Sequence, residues 1–113
     1  MSTDSNDRKE GKKGPLLSSF RYAICGIVMA VRSERNVKIH LFFAVAAISF
    51  GFVLSISVIE WLFIFVAIGG MLTAEMINSA IEKTVDLYTK EYHPIAKQAK
   101  DIAAGGVLIF AVT

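Results

Sequence analysis

Apolar and polar positions alternate in blocks along this chain, and the blocks are long. From Ile39 to Ile59 there are 21 residues without a formal charge, broken in polarity mainly by His40. Trp61 to Ala74 adds 14 more, and Ile102 to Val112 is apolar again. A bilayer core of ~30 Å needs ~20 helical residues, so the first block predicts a membrane span over about 37–56. The second predicts a span over about 60–82 only if the helix runs on through Glu75. Nine strong inserters (Leu62, Phe63, Ile64, Phe65, Val66, Ile68, Leu72, Ile77 and Ile81) favour insertion by very roughly 4 kcal/mol. That offsets the ~3 kcal/mol of one acid at the centre of a span. Leu16 to Val31 mixes apolar residues with Arg21 and small residues, a pattern that predicts an amphipathic helix at the membrane surface over 16–31.

A charged step, Arg32-Ser33-Glu34-Arg35-Asn36-Val37-Lys38, leads into the first span. A cytoplasmic loop is expected at about 83–93. His93-Pro94 then restarts a helix, since proline suits the first helical position. The last helix, about 94–113, has only some 12 residues after Asp101, roughly 18 Å, so it reads as a truncated third span. Small residues mark close packing: Gly69-Gly70 in the second span, Ala103 to Gly106 in the third. The expected class is all-α and integral to the membrane: one surface helix plus three transmembrane helices in a single domain over 16–113. Residues 1–15, rich in Ser, Asp, Lys and Gly, read as a disordered basic arm.

Composition supports this and adds orientation. The chain is 54% hydrophobic with a mean hydropathy of +0.53, above an ordinary soluble fold. The net charge of +2 says less than where its positives lie. Arg8, Lys9, Lys12, Lys13, Arg21, Arg32, Arg35 and Lys38 precede the first span; Lys83, Lys90, Lys97 and Lys100 follow the second. The turn between the spans has no basic residue. The positive-inside rule therefore places the N-terminus and the 83–100 region in the cytoplasm. Cys25 is the only cysteine, which excludes an internal disulfide. The polar opening lacks the features of a cleavable signal. A basic arm beside a membrane faces anionic lipid rather than nucleic acid, so no nucleic-acid partner is expected.

Candidate chemistry centres on Glu75, Asn78, Glu82 and Asp86. At ~100° per residue they fall within about 80° of one another on one helix face, over ~16 Å. A single glutamate in a span often does no more than tie helices together. Two acids about two turns apart with an amide between them can divide labour, one removing a proton and the other holding a cation. Glu34 weakens an otherwise basic anchor and lies at the depth of Glu82 if the two spans are antiparallel. One carboxylate from each helix, completed by substrate phosphates, suits Mg²⁺. Glu91, Tyr92, His93, Lys97, Lys100 and Asp101 add cations for polyphosphate and further acids. Alone, such lysines read as anchors and His93 as a cap. No Walker, kinase or Rossmann glycine-rich loop is present. His40 has no second histidine or cysteine near it in sequence, which argues against zinc. Ser49, Ser55 and Ser57 have no base in view.

The run Glu75-Met-Ile-Asn78-Ser-Ala-Ile-Glu82-Lys-Thr-Val-Asp86, followed by His93 and Ala99-Lys100-Asp101, resembles the prokaryotic diacylglycerol kinase family of small membrane lipid kinases. The similarity covers most of the chain, from about Ser19 onward. Arg32-Ser33-Glu34-Arg35-Asn36 with His40, Glu60-Trp61 and Gly69-Gly70-Met71 look like its Gram-positive branch, whose members act chiefly on undecaprenol. A basic residue that some relatives carry before the surface helix falls near Pro15 here. The resemblance implies a homotrimer in the bacterial inner membrane, with sites shared between subunits, transferring the γ-phosphate of ATP, with Mg²⁺, to a lipid alcohol. It implies Glu75 as general base and Asn78 as its support. It gives Glu34 and Glu82 to Mg²⁺, and Tyr22, Glu91, His93, Lys100 and Asp101 to the nucleotide, with Asp86 at the cytoplasmic rim of the same site.

Undecaprenol is the expected acceptor and diacylglycerol the nearest alternative. A reading from a different class is a small proton-coupled transporter titrating at Glu75. Such a chain would normally show four spans and lack the charge pattern around Lys97 to Asp101.

Overall fold

The computed structural model describes residues 14–113, and among these residues there are four helices. They are α1 (Pro15–Ser33), α2 (Arg35–Val53), α3 (Val58–Tyr88) and α4 (Pro94–Val112). No strand occurs among the described residues. The expected basic arm lies almost wholly outside them. Contacts divide the chain into a unit that ends at Ser33 and a unit spanning Glu34–Thr113.

In the first unit, α1 is one 19-residue helix. Its hydroxyls fold back on their own backbone: Ser19 Oγ donates to the Pro15 carbonyl at 2.9 Å, and Ser33 Oγ to the Met29 carbonyl at 2.7 Å. The Arg21 guanidinium carbon stands 6.0 Å from the centroid of the Tyr22 ring.

The second unit is an antiparallel array of α2, α3 and α4. The turn from α2 to α3 closes by a Schellman pattern. Ile56 N–H donates to the Gly51 carbonyl at 3.2 Å and Ser55 N–H to the Phe52 carbonyl at 3.3 Å, with Ser55 in the left-handed region at φ 53°. Ser57 then caps α3: its Oγ accepts from Glu60 N–H at 3.2 Å and donates to Glu60 Oε1 at 3.0 Å. The Schellman bonds and the Ser57 cap thus satisfy part of the backbone at both helix ends from within the chain, which favours a hairpin in lipid.

At that end α2 and α3 touch closely. Trp61 lies over Gly51; an ideal Cβ on that glycine would stand 2.6 Å from Trp61 Cη2. Phe52 and Phe65 flank the indole, with ring centroids at 4.9 and 5.7 Å. On the other side of α3, Gly70 admits the ring of Phe110 from α4, which an added Cβ would overlap. The expected close approach at Gly70 is therefore present. A Cβ added at Gly69, Gly105 or Gly106 would meet nothing within 4 Å, so the two glycines of α4 leave open space beside them.

Burial runs opposite to that of a water-soluble fold. The buried side chains include Ser18, Glu75, Asn78 and Ser79 beside Val37 and Ala44, whereas Phe42 is 71% exposed and Phe52 73%. Small and polar groups inside with large apolar groups outside is the distribution expected of helices solvated by lipid. Mid-span hydroxyls follow the same logic. Ser49 Oγ donates to the Val45 carbonyl at 2.8 Å and Thr73 Oγ1 to the Gly69 carbonyl at 2.7 Å.

Among the described residues, α1, α2 and α3 are long and apolar enough to cross a membrane. α1, expected as a surface helix, is among them by length and composition, and α4, expected as a shortened third span, is not. α4 carries Lys97, Lys100 and Asp101 in its first turns, which leaves it a short apolar run. Helix α3 also outlasts its expected end. It has 31 residues and continues to Tyr88, so the first half of the expected 83–93 loop is helical. Nothing between Glu82 and Tyr88 breaks a helix, and ion pairs tie this stretch to both neighbours. The connection to α4 shrinks to Thr89–His93, where His93 Nδ1 accepts from Ile95 N–H at 3.2 Å and Pro94 opens the helix.

Candidate active site

α3 is the spine of the site. Its face from Glu75 to Asp86 carries a series of polar contacts, each about one turn from the last, and three of them cross to a neighbouring helix. Helical periodicity alone puts Glu75, Asn78, Glu82 and Asp86 on one side. The antiparallel array decides what each of them meets.

Deepest is Glu75, 5% exposed. Its Oε1 lies 3.2 Å from Nε2 of His40 on α2. A carboxylate buried this far requires a hydrogen-bonding partner, because desolvation of an uncompensated charge costs several kcal/mol. One turn on, Asn78 is 8% exposed. Its amide Nδ2 donates to Glu82 Oε1 at 3.4 Å, while its Oδ1 accepts no hydrogen bond among the described residues. A buried amide oxygen left open is an acceptor waiting for a donor or a cation. Next, Lys83 Nζ stands 3.2 Å from Glu34 Oε1, which closes α3 on the start of α2. Last, Lys100 on α4 donates to Asp86 Oδ1 at 2.7 Å. Beyond it, Lys97 and Asp101 pair along the exposed face of α4 at 2.5 Å.

The structure therefore brings Asn78 to Glu82 and Lys100 to Asp86. Glu34 meets the residue next to Glu82, as the antiparallel reading requires. His93 caps α4, and Glu91 N–H donates to Thr89 Oγ1 at 3.1 Å within the connection. Both are exposed. Tyr22 is half-buried in the N-terminal unit. Two residues without an assigned role in the sequence reading enter the site: His40 as the partner of Glu75, and Lys83 as the partner of Glu34. The register of the hairpin held that information. If Gly51 faces Trp61 and Glu34 faces Lys83, His40 falls opposite Glu75.

Glu34 and Glu82 are the two carboxylates that could hold a divalent cation of the kind that leaves its remaining positions to phosphate and water. Among the described residues no group of three or more His, Cys, Asp or Glu side chains surrounds one point, so no all-protein metal cage exists. Glu34 already hosts a cationic group, the Lys83 ammonium, one residue from Glu82. The open Oδ1 of Asn78 lies on the same face.

A carboxylate buried on a long apolar helix, with an open amide acceptor beside it and an ionic face beyond it, is the pattern of a helical membrane protein that keeps a polar face inside its helix array. The prokaryotic diacylglycerol kinase family matches residues 21–113, and the chain belongs to it. It is 47% identical over 109 residues to an undecaprenol kinase of Bacillus subtilis, covering 96% of this chain and 88% of that relative. It is 40% identical over 98 residues to a diacylglycerol kinase of Synechocystis, covering 86% of this chain and 56% of the relative. A diacylglycerol kinase of Pseudomonas aeruginosa is 31% identical over 94 residues, covering 83% and 76%. Membership makes the chain a lipid kinase and sets aside the transporter reading of Glu75.

Proposed function

We propose that the protein transfers the γ-phosphate of ATP to undecaprenol at the cytoplasmic boundary of the membrane, with Glu75 as general base. The observation that carries this reading is the buried Glu75 carboxylate with the open Asn78 Oδ1 one turn away. Together they form a proton acceptor and a hydrogen-bond acceptor facing the depth at which a lipid alcohol presents its head.

The chemistry follows from positions along α3. Glu75 takes the hydroxyl proton as the lipid oxygen bonds to the γ-phosphorus. The bond from that phosphorus to the β–γ bridging oxygen breaks, and ADP leaves. Phosphoryl transfer asks a protein mainly to position reactants and neutralise charge. Lys100, Lys97 and the connection at Glu91 and His93 stand beyond Asp86, where water and nucleotide meet the helix ends. Glu34 and Glu82 would hold Mg²⁺, which supplies charge neutralisation on the phosphates when bound.

The preference for undecaprenol rests on the 47% identity with the Bacillus subtilis enzyme across nearly the whole chain. Diacylglycerol is the second reading, favoured by the other relatives named above. A homotrimer with shared sites is part of the same reading, supported by the open space around Gly105 and Gly106 on α4.

The test is transfer from γ-labelled ATP in mixed micelles with Mg²⁺, offering undecaprenol and diacylglycerol separately. Faster transfer to undecaprenol, lost in Glu75→Gln, supports the proposal. Preference for diacylglycerol moves the protein to the second reading. A fully active Glu75→Gln variant removes Glu75 as base.

A further inference from the structure

The hydrogen bond between His40 and Glu75 reaches across two helices, and the phosphoryl-transfer reading does not use it. A glutamate side chain has three rotatable bonds, so a base built from one must be held by something. Asn78, the next polar residue on the same face of α3, donates to Glu82 instead. His40 comes from the separate helix α2, 35 residues away in sequence, with its side chain 28% exposed. An ionised carboxylate only accepts, so the 3.2 Å contact requires a proton on Nε2.

The chemistry of imidazole suits this place. A lysine or arginine there would set a permanent positive charge against the carboxylate and weaken it as a proton acceptor. An imidazole N–H can fix the carboxylate without that charge.

We propose that His40 is the positioning residue of the reaction: its Nε2–H holds Oε1 of Glu75, fixing the rotamer in which Oε2 is presented to the lipid hydroxyl. This rests on the reading of Glu75 as base. Because His40 acts through Glu75, its loss lowers turnover and leaves nucleotide affinity alone. A donor of similar reach restores turnover. Displacing a reacting group by about 1 Å can cost on the order of 10²-fold in rate, which sets the expected size.

The experiment uses the full chain in mixed micelles with undecaprenol and MgATP, comparing wild type, His40→Leu and His40→Gln. Imidazole ¹⁵N spectra of wild type and Glu75→Gln accompany the kinetics; the chain has two histidines, so His40→Gln assigns the signals. We expect His40→Leu to lower kcat by about 10²-fold with KM for ATP within about threefold, and His40→Gln to recover to within about tenfold of wild type. The His40 signals should shift in Glu75→Gln while those of His93 stay. Wild-type kcat in His40→Leu overturns the proposal. So does a glutamine variant as slow as the leucine variant, which would assign the effect to the imidazole itself. An unchanged His40 spectrum in Glu75→Gln removes the contact and the proposal with it, whatever the leucine variant does to folding. If wild type phosphorylates no lipid alcohol, or Glu75→Gln matches it, the reading of the base has failed; the spectra still report whether the contact exists.

Discussion

Two single residues carry strain or need that the fold does not relieve. Asn78 buries an amide oxygen that has no donor among the described residues, a group whose desolvation costs about 1–3 kcal/mol when unsatisfied. Evolution for stability alone would replace it. Asn78→Leu is therefore expected to leave thermal stability within about 1 kcal/mol of wild type, since the lost Glu82 contact and the relieved oxygen offset each other. Transfer should fall by at least about 10²-fold in the same protein. A variant that unfolds early and keeps its specific activity would make Asn78 a packing residue. Ser55 is the second case. It holds φ 53° at the position where Schellman turns favour glycine, and a left-handed non-glycine residue costs roughly 1–2 kcal/mol. Part of that gain is lost to the more flexible unfolded chain, so Ser55→Gly should stabilise by about 0.5 kcal/mol, read as a raised midpoint in thermal unfolding in detergent.

Among elements, the α2–α3 hairpin is the most constrained. Trp61 packs between Phe52 and Phe65 and over Gly51. Gly51→Ala should then destabilise by about 1–3 kcal/mol, the range for overpacking, whereas Gly69→Ala, with open space around it, should change little. Paired thermal unfolding of the two variants measures the difference. The Lys100–Asp86 bridge is about two-fifths exposed, so Asp86→Asn should cost under about 1 kcal/mol in stability. What could be read of these elements in the sequence follows from their physics. Long uncharged blocks and Pro94 marked α2, the start of α3 and α4. The end of α3 was hidden because Lys83, Asp86 and Lys90 look like loop residues; the absence of glycine and proline up to Pro94 was the available signal. The carboxylate face was legible because helical spacing is rigid. The role of His40 was not, because a lone histidine has no spacing of its own and acquires meaning only from the helix opposite.

For the whole molecule, the distribution of positive charge predicts one orientation. In a Cys25→Ala background, Glu60→Cys at the α2–α3 turn should react with a membrane-impermeant maleimide in intact cells. Lys90→Cys, in the connection before α4, should react only after lysis. The reverse pattern would put the ionic end of the site outside and contradict ATP as phosphate donor.

The 31-residue α3 also acts as a ruler. Measured from the Ser57 cap, Glu75 sits ~27 Å along the helix, within about one turn of the far edge of a ~30 Å hydrocarbon layer. On the proposed reading of Glu75 as base, and with Trp61 favouring the opposite interface, the depth of that carboxylate is set by membrane thickness as much as by the protein. Thickening the bilayer draws Glu75 inward, away from nucleotide; thinning it lifts the carboxylate into the headgroups, away from the lipid alcohol. Turnover should pass through a maximum as acyl chains lengthen in reconstituted vesicles, and inserting a turn into α3 between Gly69 and Glu75 should move that maximum toward longer chains.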